Sequence, residues 1–135
     1  MSKPRDDEAQ PEHRRSRCPI TNTLDILGDK WTLIVIRDLF LGKRAYGEFL
    51  QSAEGIPTNI LAERLKRLEA AGILRKEPYQ ERPIRYYYCL TEKGQDLLPV
   101  LAEMARWANR HIPGTLQPPR ELVQMLDEIN RRTRA

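Results

Sequence analysis

The spacing of apolar residues changes character several times along the chain, and those changes mark its organisation. Residues 1–17, MSKPRDDEAQPEHRRSR, carry almost no large apolar groups and read as a mobile tail. From residue 18 to about 112 the apolar periodicity is continuous, and PGTLQPP at 113–119 breaks it. Leu122, Val123, Leu126 and Ile129 then recur at helical spacing. The expected organisation is a tail (1–17), a main domain (18–112), and a linker with a terminal amphipathic helix (113–135).

Pro19 suits the first position of a helix whose face is lined by Ile20, Leu24 and Leu27, with Gly28 closing it. Asp29 then caps a second helix from Lys30 to about Leu41. Its sequence, KWTLIVIRDLFL, is apolar nearly all round, as in a central helix. KRAY at 43–46 reads as one short strand and 47–53 as a third helix presenting Phe49 and Leu50. After a tight turn at 54–57, Thr58 is placed as the cap of a fourth helix over 59–71, ended by Gly72. ILRKEPY and IRYYYCL read as two strands joined by QERP. Thr91 caps a long fifth helix reaching His111, with a bend predicted at Pro99. A three-helix core followed by a hairpin is a mainly α fold with a small β-hairpin (α+β), laid out as a winged helix-turn-helix.

The fourth helix carries the most information. With Leu61 at the centre of its buried face and about 100° per residue, Leu65 and Leu68 stay within about 40° of that centre. Asn59, Glu63, Lys66 and Ala70 fall opposite, with Ala62 and Arg67 on the flanks. In a helix-turn-helix the second helix lies in the major groove and its N-terminal residues reach base edges. Asn pairs with adenine, Lys or Arg with guanine, and a small residue such as Ala62 admits close approach or meets a thymine methyl. Thr58 and the first-turn N–H groups suit a phosphate. Glu63 repels phosphate, but it accepts from cytosine or pairs with Lys66 or Arg67 along the helix. The competing reading is a solvated face held by such ion pairs. The hairpin tip shifts the balance, because Arg82 and Arg85 beside a presented helix supply phosphate neutralisation. Lys30 and Thr32, at the start of the second helix, add two candidate phosphate contacts.

Bulk properties constrain the rest. With 135 residues, a net charge of +4 and 40% hydrophobic residues, the chain fits one basic domain of modest core. No apolar run is long enough to span a bilayer, and the N-terminus has no hydrophobic signal core, so a cytoplasmic location is expected. Two cysteines, Cys18 and Cys89, and two separated histidines, His13 and His111, do not make a zinc site or a disulfide framework. No nucleophile–base pair, paired carboxylates or Gly-rich phosphate loop stands at a recognisable spacing, so no enzyme activity and no cofactor are expected.

Three segments together carry a family resemblance: CPITNTLDILGDKWTLIVIRDLFLGKRAYGEFL, GIPTNILAERLKRLEAAGIL and RYYYCLTEKG. Over about residues 18–112 the chain resembles the HxlR-type transcriptional regulators, small winged-helix proteins of bacteria and archaea. The resemblance implies a homodimer on a pseudo-palindromic double-stranded DNA operator, repression as the commoner outcome, the fourth helix as reader and the hairpin as wing. A wide apolar stripe agrees with a dimer: Leu97, Leu101, Met104, Trp107 and Ala108, joined by Leu122, Leu126 and Ile129. The alternative is that the terminal segment folds back and covers the stripe within one chain. The resemblance also points to Cys18 as a sensor of oxidants or electrophiles. A thiol at a helix N-terminus beside Arg17 has its reactive thiolate favoured; an inert packing role is the alternative. Cys89 is expected in the core, and a Cys18–Cys89 bridge stays open. Rival readings are a protein-interaction scaffold, and a regulator holding an aromatic effector near Trp31, Tyr46 or Trp107.

Overall fold

The second helix sits at the centre of the molecule, because its sequence leaves almost no polar face. In the computed structural model, which describes residues 14–134, Thr32, Val35, Ile36, Asp38, Leu39 and Phe40 of this helix are all buried. Around it the chain runs α1 (Pro19–Leu27), α2 (Thr32–Phe40), α3 (Tyr46–Phe49), α4 (Thr58–Ala70), β1 (Leu74–Glu81), β2 (Ile84–Leu90), α5 (Glu92–Gln95), α6 (Leu98–His111) and α7 (Arg120–Arg134). This is the expected mainly helical fold with an antiparallel hairpin, a winged helix-turn-helix. The expected tail falls largely on residues 1–13, outside the described residues.

The core joins Ile36 of α2, Phe49 of α3, Leu61, Leu65 and Leu68 of α4, and Leu74 of β1. Truncating any of these leucines to alanine in such a core costs about 2–5 kcal/mol. Gly72, at φ +75°, turns the chain out of α4 and straight into β1. β1 and β2 pair from Leu74↔Leu90 to Glu81↔Ile84, with an irregularity between Pro78 and Gln80. Only Arg82 and Pro83 remain at the tip, so the QERP loop is shorter than the sequence indicates and its first two residues are strand. KRAY supplies a single bridge, Ala45↔Tyr87, beside a bond from Tyr88 N–H to Arg44 O at 2.8 Å, not a full strand.

Other boundaries also differ from the sequence pattern. The third helix is one turn, not 47–53. The long fifth helix is two: α5 ends after Gln95, and α6 starts at Leu98 with Pro99 in its first turn, where its missing N–H costs nothing. Thr91 does cap α5, accepting from Gly94 N–H at 3.2 Å. Gly94 must be glycine, since a Cβ there would lie 2.2 Å from Ile73 O.

The terminal helix folds back onto its own chain. Ile129 is 5% exposed, and Leu122 and Leu126 pack against the core. Arg132 bonds Asp96 at 3.0 Å, fastening α7 across the α5–α6 junction. Ile129, Leu122, Leu126, Leu97 and Leu101, expected at a dimer interface, are instead used mainly inside one chain. The physical reason is that α7's apolar row and the inward edge of α6 complete each other intramolecularly.

A polar node fixes the helix-turn-helix angle. Buried Asp38 accepts from Ser52, from Arg37 at 2.8 Å and from Lys43 at 3.4 Å. The Arg37 guanidinium forks onto Glu54 at 2.8 and 2.9 Å, so α2 is tied to the loop that launches α4. The hydrogen bond from Arg37, opposed by partial burial, holds the Glu54 carboxyl at about 2 rather than its ordinary 4.5. Glu54 therefore contributes stability above pH 4.5 that is lost as pH falls toward about 2. Urea unfolding between those limits is expected to show a shallower acid-side loss in Glu54→Gln than in the wild type. An unchanged slope would remove Glu54 from the acid response.

Candidate nucleic-acid interface

Burial of Leu61, Leu65 and Leu68 turns the opposite side of α4 to solvent, and Asn59, Ala62, Glu63, Lys66 and Arg67 are all exposed there. Among the described residues no carboxylate pairs with Lys66. Glu63 is neutralised within the protein: Arg67 lies 2.9 Å away, one turn on, and Arg64 bonds it directly. Slight burial raises the Glu63 carboxyl, but these two guanidiniums outweigh it and hold it below its ordinary value.

Arg64 did not stand out in the sequence. It lies one step off the leucine row, so its stem covers apolar surface while its head reaches out. Nε donates to Asp29 Oδ1 at 3.0 Å, and Arg67 approaches Asp29 Oδ2 at 3.6 Å. The same Asp29 carboxylate accepts from Trp31 N–H at 2.8 Å, from Thr32 N–H at 3.0 Å, and from the Thr32 hydroxyl. Burial pushes this carboxyl up; the bonds from Thr32, Trp31 and Arg64 prevail and hold it well below the usual carboxylate range. α2 starts at Thr32 rather than Lys30 and its cap position is Trp31, so Asp29 is not the cap itself; its carboxylate holds the Trp31 and Thr32 N–H groups at the head of the helix and pins α4 against it. The sequence signals only an acidic residue near the head of α2, since nothing in a linear pattern pairs residue 29 with residue 64.

Two expected phosphate contacts are corrected by this geometry. Thr32 is buried and its hydroxyl is spent on Asp29, so it has nothing to offer a phosphate. Thr58 is the first residue of α4 rather than its side-chain cap, and its hydroxyl lies 2.6 Å from Tyr46 Oη. Tyr46 in turn donates to Thr58 O at 2.7 Å. No side chain caps α4, so its first-turn N–H groups stay open to an anion. Lys30 is exposed, 5.1 Å above the Trp31 ring, beside the Asp29 link to α4.

On the wing, Arg82 and Arg85 are exposed, and among the described residues no carboxylate pairs with either. The hairpin is stiffened below them by stacked Tyr79 and Tyr87 rings at 4.2 Å and by Lys76 over Tyr86 at 4.6 Å. Gln80 Nε2 donates to Pro83 O at 3.0 Å across the tip. Arrays of unspent cations on two adjoining elements suit a polyanion better than a small substrate.

Cys18 is exposed and free at the start of α1. Bonds from Thr21, through its N–H and then its hydroxyl, and from Ile20 N–H lower its thiol from the ordinary value. Those local donors, rather than the adjacent Arg17, are the cause. Cys89 is also free and half-buried, not in the core: Arg44 Nη2 donates to its Sγ at 3.1 Å.

Among the described residues no helix is long and apolar enough to cross a membrane. A 41% identical stretch of 87 residues matches an uncharacterized HTH-type transcriptional regulator, sll1512, of Synechocystis, and covers 64% of each chain. A Mycobacterium bovis relative, also named an uncharacterized HTH-type transcriptional regulator, is 33% identical over 82% of this chain and 69% of its own. The chain thus spans about two thirds of these relatives' length. Among solved structures, the redox regulator HypR in its oxidised form is 35% identical with a TM-score of 0.63, covering 70% of this chain and 97% of that one. The transcriptional regulator YodB of B. subtilis, in its reduced form, is 32% identical with a TM-score of 0.60, over 75% of this chain and 100% of its own. HxlR-like helix-turn-helix sequences match residues 26–115, the stretch that holds α2, α4 and the wing, and the chain belongs to that family.

Proposed function

We propose that the protein is a dimeric, sequence-specific DNA-binding transcriptional repressor. The observation that carries this reading is the outer face of α4: among the described residues Asn59, Ala62 and Lys66 are presented without internal partners, and the nearby wing carries exposed Arg82 in its two-residue tip and exposed Arg85 just beyond it. Asn59 and Lys66 read base edges in the major groove, with Ala62 giving close approach. Arg67 holds Glu63 and keeps donors for an adjoining phosphate. Lys30, the open first turn of α4 at Thr58, Arg82 and Arg85 neutralise phosphates.

Pairing of two chains on a two-fold operator is supported by apolar surface left uncovered. On α6, Met104 is 51% and Trp107 60% exposed, with Val100 and Ala108 alongside. On α1, Ile20 is 70% and Leu24 54% exposed. Residues of this size in continuous patches mark interaction sites. Of the residues expected at the dimer, Met104, Trp107 and Ala108 stay in this proposal, and α1 is added to it.

Cys18 supplies a route for control. Its lowered, exposed thiol sits at the edge of the α1 surface, so oxidation there alters the contact between two chains. The likeness to HypR and YodB, one named a redox regulator and the other caught in a reduced form, supports the same reading.

A gel-shift salt titration on the DNA upstream of the protein's own gene tests DNA reading. Lys66→Ala is expected to weaken specific binding by about 1–3 kcal/mol while sparing random DNA. Arg82→Ala is expected to weaken both and to lower the salt slope by about one unit. Equal loss on both DNAs for Lys66→Ala contradicts base reading by that residue. In sedimentation, Trp107→Asp is expected to reduce the particle from twice to once the 15.8 kDa chain mass and to abolish tight operator binding. A dimer unchanged by that charge contradicts the α6 interface. Mild oxidant is expected to change operator affinity by at least about fivefold in the wild type and to leave Cys18→Ser unaffected. A wild type that ignores oxidant ends the sensing proposal.

A further inference from the structure

A concavity lies at the base of the wing, and no residue of α4 lines it. It is a cleft of about 480 Å³, bounded by the end of α2, the base of the hairpin and α7. That volume falls among small-ligand sites. Its lining includes none of Trp31, Tyr46 and Trp107, around which the sequence places an effector. Phe40, Leu90 and Ile129 give it an apolar floor. Four cations, Lys43, Arg44, Arg75 and Arg132, stand around it against one carboxylate, Glu128.

Three of these cations already have anionic partners. Lys43 is 3.4 Å from Asp38, Arg75 bonds Glu77, and Arg132 is 3.0 Å from Asp96. Arg44 differs. Among the described residues its guanidinium bonds the Cys89 sulfur, at 3.1 Å, and lies 5.3 Å from the centre of the Tyr87 ring. Among the described residues no carboxylate pairs with that side chain; Glu48 bonds the Arg44 backbone N–H instead, at 3.2 Å. A planar fork with unspent donors in a cleft that also has apolar lining matches an anion that carries an apolar body.

We propose that this cleft binds a small organic monocarboxylate, with Arg44 taking the carboxylate and the apolar body resting on Phe40, Leu90 and Ile129. Such a ligand touches β2 and α7 together, so it bears on where the base of the wing sits. The binding site stands on the cleft itself; its bearing on DNA rests on the regulator reading above.

Isothermal titration of the full chain with hexanoate and benzoate, and with hexanamide and benzamide as neutral counterparts, tests the site. Both acids are expected to bind saturably and both amides to fail. Arg44→Gln, checked by circular dichroism, is expected to weaken the acids at least about tenfold, and Arg44→Lys by less, because lysine keeps the charge without the fork. NMR shifts on adding benzoate are expected at Arg44, Cys89, Leu90 and Ile129. No saturable binding by either acid, equal binding by acid and amide, full affinity in folded Arg44→Gln, or shifts confined to the exposed face of α6 would each overturn the proposal. Salt-sensitive duplex binding is read separately on the same preparation. Acid binding without duplex binding overturns the regulator reading alone; duplex binding without acid binding overturns the cleft alone.

Discussion

Everything outward-facing in this protein depends on how one row of leucines is buried. Leu61, Leu65 and Leu68 lock α4 against Ile36 and Phe49, and that rotation decides which residues reach solvent. A turn of about 100° about the helix axis would put Lys66 against the core and Leu65 toward water, at a cost of several kcal/mol. Burial therefore specifies the outer face as firmly as it specifies the inner one. Asp29 adds a second constraint from the side, because one carboxylate accepts from the N–H groups at the head of α2 and holds Arg64 of α4.

The charges divide by whether they are spent. Around Asp29 and Asp38, arginines and carboxylates satisfy each other and hold elements at fixed angles. On the outer face of α4 and at the wing tip, Lys66, Arg82 and Arg85 have no such carboxylate partners among the described residues. A net charge of +4 says little about partners, but cations left over after internal pairing say where a polyanion would sit. Glu63 illustrates the difference. It reads as an obstacle to DNA in the sequence, and in the fold it belongs to the pairing of Arg64 and Arg67.

Much of the fold was legible because it follows local rules. The all-apolar α2, the leucine spacing of α4, the Gly72 exit and the tyrosine-rich strands each follow from periodicity or turn chemistry. What was not legible depended on long-range contacts. Thr32 looked like an exposed helix-start residue, yet Asp29 draws it inward. Cys89 looked like core by strand alternation, but Arg44 comes alongside it from a segment 45 residues away. The apolar stripe at 97–108 reads as one surface in the sequence, whereas in the fold Leu97 and Leu101 pack against the core and Trp107 and Met104 stay outside. The docking of α7, fastened by Arg132 to Asp96, is a long-range contact that no local pattern announces.

On the proposed reading, duplex DNA meets the outer face of α4 and the wing tip together. Amide chemical shifts of the full chain, followed while a duplex bearing its operator is added at low salt, test this contact. The largest changes are expected at Asn59, Ala62, Lys66 and Arg82, with Leu61 and Leu68 nearly still. Changes centred on α6 or α7 with α4 silent, or no changes at all in dilute buffer, would contradict it.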